Sequence, residues 1–350
     1  MTGATAAPPP ALPLAGVDGP ELPMLDALLD DPDLRLLALG FSKDPNAKTV
    51  VLAFPAHARR PVYAAKLAST EGSLLALRTE AAALYAINRG ALGKIEATVP
   101  AILGWTSWHG RTGLVMAALP GTPMLSAYHR WHHTAGRVLV GADFALAGDW
   151  LAALQDATAG RRARVDMESA VVDILPRRFP ERGAGREAAQ RLRAIGRRLR
   201  RASTPRTTVH GDLWPGNILQ QAGRVTGVVD WELGQAEGEP VRDLVHFALS
   251  YALFLDRHTR PGRVVTGHPG LRSGRWGDGI VYALGGRGWF PDLVEGFIRS
   301  GLYRLGADPE AWRSAALAGV AEGAATADQP AFAAENLRLF LRLTATDQTP

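Results

Sequence analysis

Val209-His210-Gly211-Asp212-Leu213-Trp214-Pro215-Gly216-Asn217-Ile218-Leu219 is the stretch whose reading decides the fold. It runs on through Gln220 and Gln221, a turn at Ala222-Gly223-Arg224, the apolar run Val225 to Val229, and Asp230. Ile218 to Gln220 and Val225 to Val229 flank a glycine-containing turn, which is the pattern of a β-hairpin. Asn217 enters the first strand and Asp230 leaves the second. Both therefore sit at the open end of one hairpin, where cross-strand residues lie about 5 Å apart. An amide oxygen and a carboxylate held side by side suit a hard cation such as Mg2+. Asp212 precedes Asn217 by a loop containing Pro215 and Gly216. That loop can fold back and bring a second carboxylate near the metal without ligating it, where it can orient an attacking hydroxyl and accept its proton. A metal hydrolase would need further clustered histidine or carboxylate ligands, and the local sequence supplies none.

Upstream, Leu34 to Gly40, Thr49 to Phe54 and Val62 to Leu67 read as three antiparallel strands, with Asp44, Pro45 and Asn46 supplying turn chemistry between the first two. Ser73 to Asn88 reads as a helix stopped by Gly90, with Leu77, Ala81, Leu84 and Ile87 as its apolar stripe. Glu80 shares the face of Leu77 and Leu84, where a glutamate is unfavourable unless paired. Lys66, in the apolar strand before the helix, is the natural partner. Taken alone it also reads as an edge-strand lysine that discourages aggregation. Glu71 stands too soon after the strand to belong to the helix proper. Strands near Ala101 to Trp105 and Thr112 to Ala117 follow, and Leu119-Pro120-Gly121 breaks the pattern as a linker. From Leu125 onward helical patterns dominate, interrupted by the one hairpin near position 222.

Composition narrows the classes further. With 350 residues and 47% hydrophobic content the chain is long enough for two lobes around a sizeable core. The absence of cysteine excludes disulfides, thiolate metal sites and cysteine nucleophiles, and fits a cytoplasmic protein. The net charge of +5 is concentrated between Arg177 and Arg201, which reads as a solvated helix face. No nucleic-acid-binding signature accompanies it. Residues 1–20, rich in Ala, Pro and Gly, read as a disordered tail rather than a signal peptide. Val245 to Leu255, the longest strongly apolar run, is too short to span a bilayer.

The spacing His210-x-Asp212-x-x-x-x-Asn217, followed by Asp230 in Val228-Val229-Asp230-Trp231-Glu232, resembles the catalytic loop of the aminoglycoside phosphotransferase and choline kinase-like family. That family comprises relatives of the protein kinases, which carry Asp-Phe-Gly at the last site. The resemblance implies an α+β, bilobal protein-kinase-like fold. Residues 21–118 would form a nucleotide-binding N-lobe, a small antiparallel sheet with one long helix. Residues 119–350 would form a larger, mainly helical C-lobe with the catalytic loop and the acceptor site.

It implies transfer of the γ-phosphate of ATP or GTP to an alcohol of an aminoglycoside-, amino-sugar- or sugar-like molecule. Asp212 would be the catalytic base, Asn217 and Asp230 would hold Mg2+, and Lys66, fixed by Glu80, would contact the phosphates. Met116 to Pro120 would be the inter-lobe hinge, with backbone at Met116 and Ala118 meeting the nucleobase. His210 and Asp243 would support the loop, Asp243 by bonding its backbone; by local rules Asp243 is also a favourable first-turn acid. One departure is the first turn, Gly40-Phe41-Ser42-Lys43, which lacks the glycine-rich phosphate cover; Ser42 and Lys43 are the candidates there. A non-catalytic nucleotide-binding protein on the same fold would usually have lost Lys66, Asp212, Asn217 or Asp230. A protein kinase would carry the glycine loop. Trp276, Tyr282, Trp289 and Phe290 read as core residues or as platforms for a sugar ring.

Overall fold

The computed structural model describes residues 22–39, 47–90 and 92–345. The 1–20 tail and the candidates Ser42 and Lys43 lie outside them.

Five strands open the chain: β1 (Leu34–Leu39), β2 (Thr49–Pro55), β3 (Tyr63–Leu67), β4 (Ile102–Trp108) and β5 (Arg111–Ala117). They form an antiparallel sheet ordered β1-β2-β3-β5-β4. The alternation of side chains along a strand divides their contacts. Val51, Ala65, Leu67 and Val115 pack with Leu29 on one face. Lys66 stands opposite Leu114 on the other, the face covered by α1 (Glu71–Asn88).

Helix α1 starts earlier than its apolar periodicity alone suggests. Thr70 caps it: its hydroxyl accepts from Ser73 N–H at 3.1 Å, and Ser73 Oγ accepts from Thr70 N–H at 2.8 Å. Glu71 is thus the first helical residue, a correction to its placement off the helix, but it is exposed. Leu77, Glu80, Ala81, Leu84 and Ile87 are buried as one face.

Beyond the sheet come β6 (Thr122–Pro123), α2 (Met124–Tyr128), α3 (Arg137–Ala157), β7 (Arg162–Arg164), α4 (Ile174–Arg178), α5 (Ala184–Leu199), β8 (Ser203–Pro205) and β9 (Thr207–Val209). They are followed by β10 (Ile218–Gln221), β11 (Arg224–Val228), β12 (Gln235–Gly238), α6 (Val241–Leu253), β13 (Val264–Val265) and β14 (His268–Arg272). Four helices close the described chain: α7 (Asp278–Gly285), α8 (Trp289–Arg304), α9 (Trp312–Thr326) and α10 (Pro330–Ala345).

The hairpin β10–β11 is present as read, and β6 adds to it as a third strand. It is not the sole interruption of the helices, which corrects that expectation: β7 pairs β8, β9 pairs β12, and β13 pairs β14. The linker is fastened to the hairpin. Gly121 has φ of 115°, a Cβ there would meet Thr226 Oγ1 at 2.3 Å, and the Thr226 hydroxyl donates to Pro120 O at 2.6 Å.

The main core is continuous from α1 to α10, so the helix behind the first sheet shares its apolar contacts with the helical part. Helix α3 is long and apolar enough by composition to cross a membrane. Here its Val140, Phe144, Ala147, Trp150, Leu151 and Leu154 are buried in that core. The arginine-rich stretch is more than a solvated face. Arg178 donates to Ala325 O at 2.7 Å, and Arg191 to Leu341 O and Thr344 Oγ1, both at 2.8 Å, which ties α4 and α5 to the last helices. Tyr282 and Phe290 are core residues. Trp276 and Trp289 are partly buried against the core, and the Trp289 indole donates to Gly267 O at 2.9 Å.

Candidate active site

The period of two along β3 and of 3.6 along α1 bring Lys66 and Glu80 face to face. Lys66 Nζ donates to Glu80 Oε1 at 2.6 Å and Oε2 at 2.8 Å, and to Asp230 Oδ1 at 2.7 Å. Glu80 is fully buried, and its Oε1 also accepts the Trp231 N–H at 3.1 Å. One carboxylate thus holds both the lysine and the chain just past Asp230. Trp231, itself fully buried, packs on the His210 ring at 4.6 Å and donates its indole N–H to Val228 O at 2.8 Å.

Asp230 has φ of 71°, a left-handed conformation that Asp tolerates better than most residues. Burial by itself would raise its pKa, but the charges of Lys66 and Lys48 outweigh that and hold the carboxyl down at about 2. Lys66 is raised above the ordinary lysine value: burial opposes its charge, and Glu80 and Asp230 overcome it. Asp230 is therefore an anion, and Lys66 a cation, throughout the physiological range.

The candidate catalytic loop is fixed from beneath. Asp243, near the start of α6, accepts the backbone N–H of His210 at 2.6 Å and of Gly211 at 2.8 Å. Burial raises the Asp243 pKa; the two N–H bonds pull back against it. His210 Nε2 lies 2.9 Å from Val229 O, so it donates there, which leaves Nδ1 to accept the Asp212 N–H at 3.2 Å. Histidine here braces the loop against the hairpin. Gly211 has φ of 85°, and a Cβ on it would approach Leu233 O to 2.3 Å, so no other residue fits this bend.

The Asn217 side-chain amide donates to Asp212 O at 2.9 Å and to Asp212 Oδ2 at 3.2 Å, while the Asn217 carbonyl accepts from Val229 N–H at 2.9 Å. With the NH2 so engaged, the amide oxygen is the atom left that could ligate a metal. The donor set of Asn217 oxygen and Asp230 carboxylate suits Mg2+, which binds few protein ligands and completes its shell with phosphate and water. Two ammonium groups, Lys66 and Lys48, already gather at Asp230, an indication that the position favours cations.

The hinge is only partly as expected. Met116 lies in the interior of the sheet, opposite Ala64 and Ile102, with its side chain buried. The Ala118 N–H donates to Val62 O at 3.0 Å, and is therefore not the donor expected for a nucleobase.

Three site residues were not found from sequence. Lys48, just before β2, pairs with Glu232 and lies 3.9 Å from Asp230 Oδ1. Glu232 belongs to the Asp-Trp-Glu segment; burial and the charge of Asp230 raise its pKa, and Lys48 opposes them. His246 Nε2 lies 3.0 Å from Asp212 Oδ1. Its place three residues after Asp243, on the same face of α6, was the available signal.

A model of the phosphotransferase enzyme family matches residues 44–276. No curated protein matches the sequence. Among solved structures, a thermostable mutant of the aminoglycoside phosphotransferase APH(4)-Ia in complex with AMP-PNP and hygromycin B superposes with a TM-score of 0.54 at 11% identity, covering 93% of this chain and 98% of that one. Its apo form gives 0.52 at 12% identity, covering 90% and 96%. The macrolide 2'-phosphotransferase MphH from Brachybacterium faecium gives 0.49 at 19% identity, covering 90% and 95%. At such identities the first two speak to the fold, which is that of the kinase-like phosphotransferases.

Proposed function

This chain belongs to the phosphotransferase enzyme family, and from that premise we propose that it moves the γ-phosphate of ATP or GTP onto a hydroxyl of an aminoglycoside-, amino-sugar- or sugar-like acceptor. The observation that carries the reading is the joint geometry of two groups. Lys66 is held between Glu80 and Asp230, and Asp212 stands beside Asn217 across the hairpin mouth. Residues 21–118 would contribute the nucleotide side and residues 119–350 the catalytic loop and the acceptor side.

In this scheme Lys66, oriented by Glu80, binds phosphate oxygens. Asn217 and Asp230 would hold Mg2+, which supplies neutralisation of phosphate charge. Asp212 accepts a hydrogen bond from the acceptor hydroxyl and aligns its oxygen with the γ-phosphorus. The new P–O bond forms as the bond to the β-phosphate oxygen breaks; the nucleoside diphosphate leaves, and the hydroxyl proton passes to Asp212 and then to solvent. Little of this is covalent work by the protein, so the placement of charges carries the rate.

Two experiments bear on the proposal. Purified protein with Mg2+ and ATP or GTP, screened against sugars, amino sugars, choline and antibiotics, should consume nucleotide in the presence of at least one acceptor class; no acceptor-dependent consumption across the panel would count against it. Calorimetry of nucleotide binding with and without Mg2+ should show a metal-dependent gain that Asp230→Ala abolishes. Undiminished, metal-independent binding by that variant would remove the site at the hairpin mouth.

A further inference from the structure

We propose that His246 is a positioning residue for phosphoryl transfer: its imidazole clamps one oxygen of Asp212 and leaves the other beside Asn217 to receive the acceptor hydroxyl. The proposal rests on the reading of Asp212 given above and assigns a role to a residue outside the loop. It begins from the two oxygens of that carboxylate. Oδ2 accepts from the Asn217 amide at 3.2 Å, and Oδ1 lies 3.0 Å from His246 Nε2. A carboxylate gripped at both oxygens keeps one rotamer, and its lone pairs keep one direction.

The grip comes from a single helical turn. Asp243 and His246 are three residues apart on α6 and face the same way. Asp243 holds the backbone of the loop at His210 and Gly211, and His246 holds the side chain of the next residue. Helix α6 thus fixes both the path of the loop and the aim of its carboxylate. The side chains of Asp212 and His246 are 35% and 43% exposed, so the pair is open to solvent and an acceptor can reach it.

The surroundings favour the charged form of the imidazole. Asp212 faces it from the loop, Asp243 from its own helix and Glu322 from α9, while Arg242 on α6 lies 3.5 Å from Glu322. Burial would lower the pKa of His246, but the hydrogen bond and charge of Asp212, with the charges of Asp243 and Glu322, outweigh it and raise it above the ordinary histidine value. The sign follows: the charged clamp is complete below that ordinary value and weakens as pH rises through the raised one. Turnover should therefore carry an alkaline limb that belongs to His246.

The test uses the full chain and two variants, His246→Gln and His246→Ala. Misaimed bases lose about 10- to 100-fold in rate, so kcat should fall by that much in His246→Ala while nucleotide affinity stays within about twofold. His246→Gln, whose amide can still donate to Asp212, should recover part of the loss, and neither variant should keep the alkaline limb. Proton NMR titration of His246 gives a readout that needs no acceptor: its midpoint should lie above the usual histidine value of about 6.5 and drop in Asp212→Asn. Wild-type kcat and an unchanged pH profile in both variants would overturn the proposal, as would a titration that Asp212→Asn does not move. If the wild type transfers phosphate to no acceptor, the functional reading has failed instead, and the titration still decides whether the clamp exists. Should His246→Ala fail to bind nucleotide because it does not fold, His246→Gln carries the kinetic test.

Discussion

Asp212→Asn lowers turnover by about 100- to 10,000-fold, the range a positioned general base supplies, and leaves nucleotide affinity nearly unchanged. The expectation comes from where the two carboxylates of the site stand. Asp230 is linked to Lys66 at 2.7 Å, on the side where the proposed reading puts the phosphates. The Asp212 carboxylate pairs with neither lysine; its partners are Asn217 and His246. Replacing its carboxylate with an amide leaves one acceptor oxygen where there were two and removes the charge that draws the hydroxyl proton. The Asp212 N–H bond to His210 and the Asp212 O bond from Asn217 are backbone interactions, so the loop keeps its shape in the variant. Turnover and nucleotide binding are measured separately. Near-normal turnover in Asp212→Asn and Asp212→Ala would remove this residue from the base role.

The second large effect belongs to Lys66 and Glu80. Lys66→Ala should lower both catalysis and nucleotide affinity, and destabilise the protein as well. Glu80 is fully buried, and without the ammonium its charge would retain only the Trp231 N–H. Breaking a buried ion pair by removing one partner costs about 3–5 kcal/mol. Glu80→Ala acts differently. Lys66 keeps Asp230 as a partner at 2.7 Å and would settle on it, away from the position in which Glu80 would hold it for the phosphates. Because the two residues share one interaction, their effects on catalytic efficiency should be non-additive, with a coupling of about 0.5–3 kcal/mol. A double-mutant cycle measures it, and strict additivity would mean that the contact seen here has no part in catalysis.

Much of this site could be read from local rules because each rule spans few residues. Period 3.6 placed Glu80 on the buried face of α1, the need to pair it pointed to Lys66 in the apolar strand before it, and a glycine turn placed Asn217 and Asp230 at one hairpin mouth. The structure bonds Lys66 to both Glu80 and Asp230, Asn217 accepts the N–H of Val229 next to Asp230, and Asp243 bonds the loop backbone. What escaped depends on long-range packing or on very short elements. Lys48 and Glu232 are 184 residues apart, and nothing in either neighbourhood announces the other. His246 sits inside the apolar run of α6 and looks like a core residue until the loop is laid against it. Strands β7, β8, β9, β12, β13 and β14 are two to five residues long, too short for alternation to show. The start of α1 was missed by two residues because the Thr70–Ser73 cap, not the apolar stripe, sets it.

The most direct measurement of the central claim follows the phosphate itself. Protein, Mg2+, an acceptor drawn from the screen and ATP labelled with 32P at the γ position are incubated, and the label is traced among ATP, inorganic phosphate and acceptor. The account predicts label bound covalently to the acceptor, one equivalent for each ADP formed, and almost none of it with Asp212→Asn. Label recovered only as inorganic phosphate, or transfer to the acceptor that proceeds as well with Asp212→Asn as with the unaltered chain, would contradict it.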